Sequence, residues 1–233
     1  ELPNEQVVND AVAALSDFSI DGGYNLKVPT LPFFSDITHQ LEAVWAQQPA
    51  MLTFHFGIPA QEIIGAAHAR GISVGITATN LEEGLAIVAS GADFIVAQGV
   101  EAGGHRGTFS PYGNDSELPL EQLLRDLVSV TPLPIVASGC VMTGQEINRV
   151  LSLGAVAAQM GTGFLCCDEA GTSASYRKML LTEGSRPTQF TRGFSGRRAQ
   201  GISNRFMAAM EHKPTLPFPI QNSLTGPIRQ AAA

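Results

Sequence analysis

Four glycines, a glutamine, a glutamate, a histidine and an arginine crowd into Gln98-Gly99-Val100-Glu101-Ala102-Gly103-Gly104-His105-Arg106-Gly107. Glycines let the backbone approach a ligand closely and leave amides exposed, which suits an oxygen-rich or planar molecule. Gln98 presents both a donor and an acceptor, as the pyrimidine edge of a flavin requires. His105 can act as a base or a hydrogen-bond donor near neutral pH. Arg106 offers charge to an anion or holds the loop. Glu101 is read as pinning the loop to backbone amides.

Two further turns are chemically similar. Ser138-Gly139-Cys140-Val141-Met142-Thr143 runs into a helix, and Gly161-Thr162-Gly163-Phe164-Leu165 follows the apolar stretch Val156-Ala157-Ala158-Gln159-Met160. Amides at such turns form anion sites, and two together can clamp one phosphate. In parallel β/α folds ligands lie at the C-terminal ends of strands, and the late strands of a barrel carry the phosphate site. At Cys140 the backbone N–H matters more than the thiol. His55, in Phe54-His55-Phe56-Gly57, also closes a strand and is read as packing. His39, His68 and His212 are read as surface residues, and Cys166-Cys167 as core.

The elements that must position these residues repeat one pattern: helix, Gly, short apolar strand. Gly71, Gly91 and Gly154 each stand where a helix end needs a left-handed residue. Asn80 with Glu83, and Thr143 with Glu146, have capping-box spacing. Strands are expected near 51–56, 72–78, 93–98, 134–138 and 156–161. They are continuously apolar, as parallel strands covered on both faces should be. Two of the spacings are near 21 residues, tight enough for barrel units. The fold expected is α/β, a (β/α)8 TIM-type barrel with the N-terminal strands missing from this chain. Gln6–Phe18 reads as helical and Tyr24–Phe34 as Pro-interrupted, so neither supplies strands. An open doubly wound sheet is the alternative. Residues 1–50 are expected to form a helical or irregular segment, 51–186 the barrel units with the cofactor site, and 187–233 a segment packing over the barrel.

Composition narrows the partners. A formal charge of −7 argues against nucleic acid or an anionic membrane surface. No apolar run approaches the roughly 20 residues of a membrane span, and the N-terminus does not read as a signal peptide. Three cysteines without metal-ligand spacing fit reduced thiols in a cytoplasmic chain with no metal site.

The stretch Gln98–Gly107 closely resembles the nitronate monooxygenase family, formerly called 2-nitropropane dioxygenases. The likeness continues through Gly75-Ile-Thr-Ala-Thr79, Ala137-Ser-Gly139, Gln159-Met-Gly-Thr162, Phe194-Ser-Gly-Arg197, Asn204-Arg-Phe206, Pro219-Ile-Gln-Asn222 and Leu224-Thr225. The resemblance implies an FMN flavoprotein on a TIM-type barrel that oxidises alkyl nitronates with O₂ to a carbonyl compound and nitrite. It implies that Gln98, Gly103 and Gly104 line the flavin, and that Ser138, Gly139, Cys140, Gln159, Met160, Gly161 and Thr162 hold its phosphate. His105 would be the active-site histidine, stabilising the anionic nitronate or acting as base toward a nitroalkane. Two other readings remain open: a flavin-dependent, NAD(P)H-using reductase of the enoyl-acyl carrier protein type, and a truncated, inactive barrel. One departure stands out. Many family members carry a second glycine where this chain has Cys140, which matters if that position needs positive φ.

Overall fold

Helix and strand alternate along the chain in the computed structural model, which describes residues 3–18, 26, 28–30, 32–33, 36–182 and 187–232. In chain order come α1 (Glu5–Ala14), a 3₁₀ turn (Ser16–Phe18), α2 (Ile37–Gln47), β1 (Met51–Phe54), α3 (Gln61–His68), β2 (Ser73–Ala78), α4 (Leu81–Ala89), β3 (Phe94–Gln98) and β4 (Gly104–His105). Then follow α5 (Leu120–Val130), β5 (Ile135–Ser138), α6 (Gly144–Ser152), β6 (Ala157–Gln159) and a second 3₁₀ turn (Thr162–Phe164). The chain continues through α7 (Ala174–Leu181), β7 (Thr188–Thr191), β8 (Ala199–Ile202), α8 (Arg205–Met210), α9 (Ile220–Leu224) and α10 (Gly226–Ala231). All five expected strands form. The Tyr24–Phe34 stretch lies in good part outside the described residues. Helix α2 was not anticipated by the sequence reading.

The chain divides into two units, one of Asp36–Phe164 and one of Glu1–Ser35 with Leu165–Ala233. In the first, five parallel strands lie in the order β1-β2-β3-β5-β6. β4 lies outside this sheet, and each later strand of it pairs with the sheet strand before it: Met51 opposite Ser73, Gly75 opposite Phe94, Ile95 opposite Ile135, Val136 opposite Ala157. A doubly wound sheet would reverse direction partway across. This one does not, so it has the winding of a TIM-type barrel: five consecutive units forming a half-barrel.

Burial follows that order. Strands β2 and β3 are almost wholly buried, whereas Met51 at one edge is 64% exposed and Val156, just before β6, is 61% exposed. The core beneath the sheet joins Ile64, Ile76, Ile87 and Ile95 with Leu123, Leu124, Leu127 and Ile135. Helix α5 supplies its share through Leu120, Leu123, Leu124 and Leu127, the i, i+3, i+4, i+7 stripe of an amphipathic helix. Gly71, Gly91 and Gly154 end their helices at φ +71°, +80° and +100°, as the sequence pattern required. Thr143 and Glu146 form the full reciprocal capping box. At α4 only half of it forms. The Asn80 side chain accepts from the Glu83 amide, but the Glu83 carboxylate turns to Thr79 instead of the Asn80 amide.

In the second unit Ala11 and Ala14 of α1, with Leu15 just after it, pack with Met210, Leu216, Ile220 and Leu224. Strands β7 and β8 form an antiparallel pair, Thr188 opposite Ile202 and Thr191 opposite Ala199. The family-like residues of this unit are mutual supports. Gln221 donates to the Gly193 carbonyl and accepts from the Leu216 amide, both at 2.9 Å. Thr225 donates to the Phe194 carbonyl, and Phe194 stacks on Phe206 at 4.7 Å. Cys166 is half-buried and Cys167 exposed, so the expected core role of this pair fails; both lie in a run of turns and bends, outside any helix or strand that would carry them into a core. All three thiols are free. Among the described residues no helix is long and apolar enough to cross a membrane.

Candidate active site

Parallel winding places the ends of β1, β2, β3, β5 and β6 along one edge of the sheet, and the expected site residues stand there. Gln98 ends β3 with its side chain only 6% exposed. Its Nε2 donates to the His105 carbonyl at 2.9 Å, while its Oε1 accepts from the Gly107 amide at 2.8 Å and from Arg106 Nη1 at 3.3 Å. An amide oxygen has two lone pairs and both are in use, so what remains for a ligand is one N–H. The side chain therefore shapes the loop more than the sequence suggested.

Arg106 resolves in favour of holding the loop. It is buried, donates through Nη1 to the carbonyls of Gln98 and Gly99 at 2.9 and 3.0 Å, and forks onto the Asp115 carboxylate. Glu101 behaves as expected: it accepts from the Leu120 amide at 3.0 Å, capping α5 where Pro119 has no side chain to do so. His105 itself lies half-buried in β4. The edge of one ring meets the face of another where Phe56 and His105 stand 5.7 Å apart at 89°. His55 reaches Thr77 Oγ1 through Nδ1 at 3.0 Å and the His105 carbonyl through Nε2 at 3.3 Å.

The glycine-rich turns after β3, β5 and β6 converge. A Cβ on Gly139 would stand 3.3 Å from the Ala102 nitrogen, and one on Gly103 would stand 3.2 Å from Thr162 Oγ1. A Cβ on Gly163 would lie 3.7 Å from Met142 Sδ, joining the later two turns to each other. Gly139 adopts φ +132° and Cys140 φ +50°, so the cysteine takes the left-handed conformation a glycine would prefer. Among the described residues the amides of Gly139, Cys140, Gly161 and Thr162 donate no hydrogen bond. Four unengaged amides on two turns have the composition of an anion cradle. Ser138 is half-buried and opposite Gln98 in register, Met160 packs against the core, and the Gln159 side chain is exposed at the sheet edge. The Glu146 carboxyl caps the turn by accepting from the Met142 and Thr143 amides, both at 2.8 Å. Those bonds and the Thr143 hydroxyl hold it below the usual carboxylate range.

Sequence reasoning missed three supporting residues. Buried Glu83 accepts from the Thr79 amide and hydroxyl and from the Phe109 amide, the last at 2.8 Å. Its capping-box spacing was visible, but its reach to residue 109 depends on how the loop returns. Asp115 carried no motif; Thr77 lay inside the family-like stretch Gly75–Thr79 and was polar within the apolar run of β2, but no site role was read for it.

Winding, and the placing of glycine-rich turns at the strand ends, define a β/α-barrel protein with its candidate site at the C-terminal edge of the sheet. The chain belongs to the nitronate monooxygenase family, whose model matches residues 16–233. It is 40% identical over 220 residues to a nitronate monooxygenase of Pseudomonas aeruginosa, covering 93% of this chain and 62% of that one. It is 44% identical over 162 residues to one of Paraburkholderia phytofirmans, covering 70% of this chain and 44% of that one. The chain thus spans roughly half to three-fifths of the length of these relatives. Among solved structures, nitroalkane oxidase from Streptomyces ansochromogenes superposes with a TM-score of 0.85 at 33% identity, covering 99% of this chain and 67% of that one. FabK from Thermotoga maritima shares the fold, with a TM-score of 0.62 at 23% identity over 74% of this chain and 53% of that one.

Proposed function

We propose that this chain carries the cofactor and active-site edge of an FMN-dependent nitronate monooxygenase, oxidising alkyl nitronates with O₂ to a carbonyl compound and nitrite. The observation that carries the reading is the convergence of the three turns, with unengaged amides at Gly139, Cys140, Gly161 and Thr162. The residues fit the group: the two turns offer backbone donors at Gly139, Cys140, Gly161 and Thr162, and a side chain at Gly103 or Gly139 would crowd the neighbouring turn at Thr162 or Ala102. Family membership and the likeness to nitroalkane oxidase support the same chemistry.

In this reading Gly139, Cys140, Gly161 and Thr162 hold the FMN phosphate, Ser138, Gln159 and Met160 flank it, and Gly103 and Gly104 allow the ring system to lie close to the backbone. Gln98 contributes its remaining N–H. FMN, when bound, supplies the electron acceptor. His105 donates a hydrogen bond to the negative nitronate oxygen, fixing the substrate, and receives a proton when a neutral nitroalkane is presented instead. A nitronate is already a carbanion equivalent, so positioning counts for more than base strength.

The test is the visible spectrum of the purified chain with FMN, followed by anaerobic addition of ethylnitronate. A perturbed flavin spectrum that bleaches supports the proposal. A spectrum identical to free FMN overturns it for this chain. Bound flavin that bleaches with NADH but not with nitronate transfers the assignment to a reductase.

A further inference from the structure

The geometry points to His55 and Thr77 as positioning residues for His105, an inference that rests on the role proposed above for that histidine. The His105 carbonyl is gripped from two strands. Gln98 Nε2 donates to it from the end of β3 at 2.9 Å, and His55 Nε2 approaches it from the end of β1 at 3.3 Å. A carbonyl only accepts, so the ring nitrogen facing it carries a proton. In the neutral ring the other nitrogen, Nδ1, then accepts from Thr77 Oγ1 at 3.0 Å. Thr77 is 5% exposed within β2, so its hydroxyl is held toward the imidazole and away from water. The carbonyl thereby fixes the tautomer of His55, the buried Thr77 hydroxyl completes it by donating to Nδ1, and His55 holds the backbone of His105.

The imidazole of His105 is held as well as its backbone. Phe56 occupies φ +75°, a costly conformation for a bulky side chain, and Gly57 follows at φ +123°. That turn aims the Phe56 ring at His105, 5.7 Å away and perpendicular, while the His55 and Phe56 rings meet at 4.5 Å. Strain at a strand end is retained where surrounding contacts over-determine it. The loop closes on this group because residue 107 lacks a side chain: a Cβ there would stand 2.7 Å from both His55 Cε1 and Thr77 Cγ2. Simple packing of His55 would need only a ring, whereas positioning needs its N–H.

Three variants of the chain separate those roles: His55→Phe keeps a ring without the donor, His55→Gln places an amide N–H near the former Nε2, and Thr77→Val removes one hydroxyl at constant volume. Two readouts are needed: the anaerobic rate of flavin bleaching by ethylnitronate in the FMN-loaded chain, and the ¹⁵N–¹H imidazole correlations of His105 in the FMN-free chain at fixed pH. His55→Phe is expected to slow bleaching by about 10- to 100-fold and to shift the His105 resonances, with FMN affinity unchanged. His55→Gln should recover most of both, and Thr77→Val should give a smaller loss in the same direction. Unmoved His105 resonances in His55→Phe, or a Gln variant no better than Phe, overturn the inference. If His55→Phe does not fold, unmoved resonances in Thr77→Val overturn it alone. A wild-type chain that binds FMN and is not bleached refutes the proposed function, and the resonances still decide the positioning.

Discussion

Arg106 and Asp115 meet through two parallel hydrogen bonds, Nε to Oδ2 and Nη2 to Oδ1, each 2.9 Å, with side chains 0% and 6% exposed. This fork closes the loop that begins at Gln98 and leaves Arg106 Nη1 for the carbonyls of Gln98 and Gly99. Removing one partner of a buried pair strands the other charge. Asp115→Ala should therefore cost about 3–5 kcal/mol of stability, read from urea unfolding, and weaken FMN binding because the loop loses its brace. An unchanged unfolding midpoint would show that the loop does not depend on the pair.

Gly139 and Cys140 should respond in opposite directions. Left-handed backbone at a residue with a Cβ costs about 1–2 kcal/mol, more than the roughly 0.4–1 kcal/mol entropic cost of introducing glycine. Cys140→Gly should thus raise the melting temperature and leave FMN affinity intact. Gly139→Ala, at φ +132° and crowding the Ala102 nitrogen, should lower stability by about 1–3 kcal/mol and weaken FMN binding. Melting curves with and without FMN decide both.

Acid should act through Glu146. Folding lowers its carboxyl below the ordinary 4.5, chiefly through the Met142 amide and then the Thr143 hydroxyl and amide. A lowered folded-state value means the contribution is complete above the ordinary value and is lost as pH falls through the folded one. Glu146→Gln should lower the urea midpoint at pH 7, and its gap to wild type should narrow once the pH drops below that range. A gap constant from pH 7 to pH 3 would refute the assignment.

His105→Asn should slow anaerobic flavin reduction by ethylnitronate by about 10²–10⁴-fold and leave FMN binding in place. Equal loss of binding and rate would recast His105 as part of the cofactor site.

Much of this was legible in the chain, and the reason is local. Helix–Gly–strand phasing records where a left-handed residue must stand, so Gly71, Gly91 and Gly154 marked three helix ends and three strand starts. The continuously apolar strands announced parallel pairing, and the glycine turns announced their own positions. What stayed hidden depends on where a loop returns. Arg106 could serve an anion or the loop until Asp115 was seen beside it. Glu83 has the spacing of a reciprocal cap, yet Thr79 and Phe109 compete successfully for its carboxylate. The β7–β8 pair was unreadable because four-residue strands such as Thr188–Thr191 mix polar and aromatic residues over too short a span to show a period.

Sequential strand order has a kinetic consequence. Because β2, β3, β5 and β6 each pair with the preceding strand of the sheet, every new ladder closes a short stretch of chain, and the entropy lost per step stays small. Growth and loss of structure should then proceed by neighbour-to-neighbour addition, as in a short repeat array. Amide exchange should be slowest near Ile76 and Val96 in the middle and fastest along Met51–Phe54 and Ala157–Gln159. The late-strand turns proposed to hold the phosphate would lie toward the fraying side, where a bound anion would slow the opening of the β6 edge.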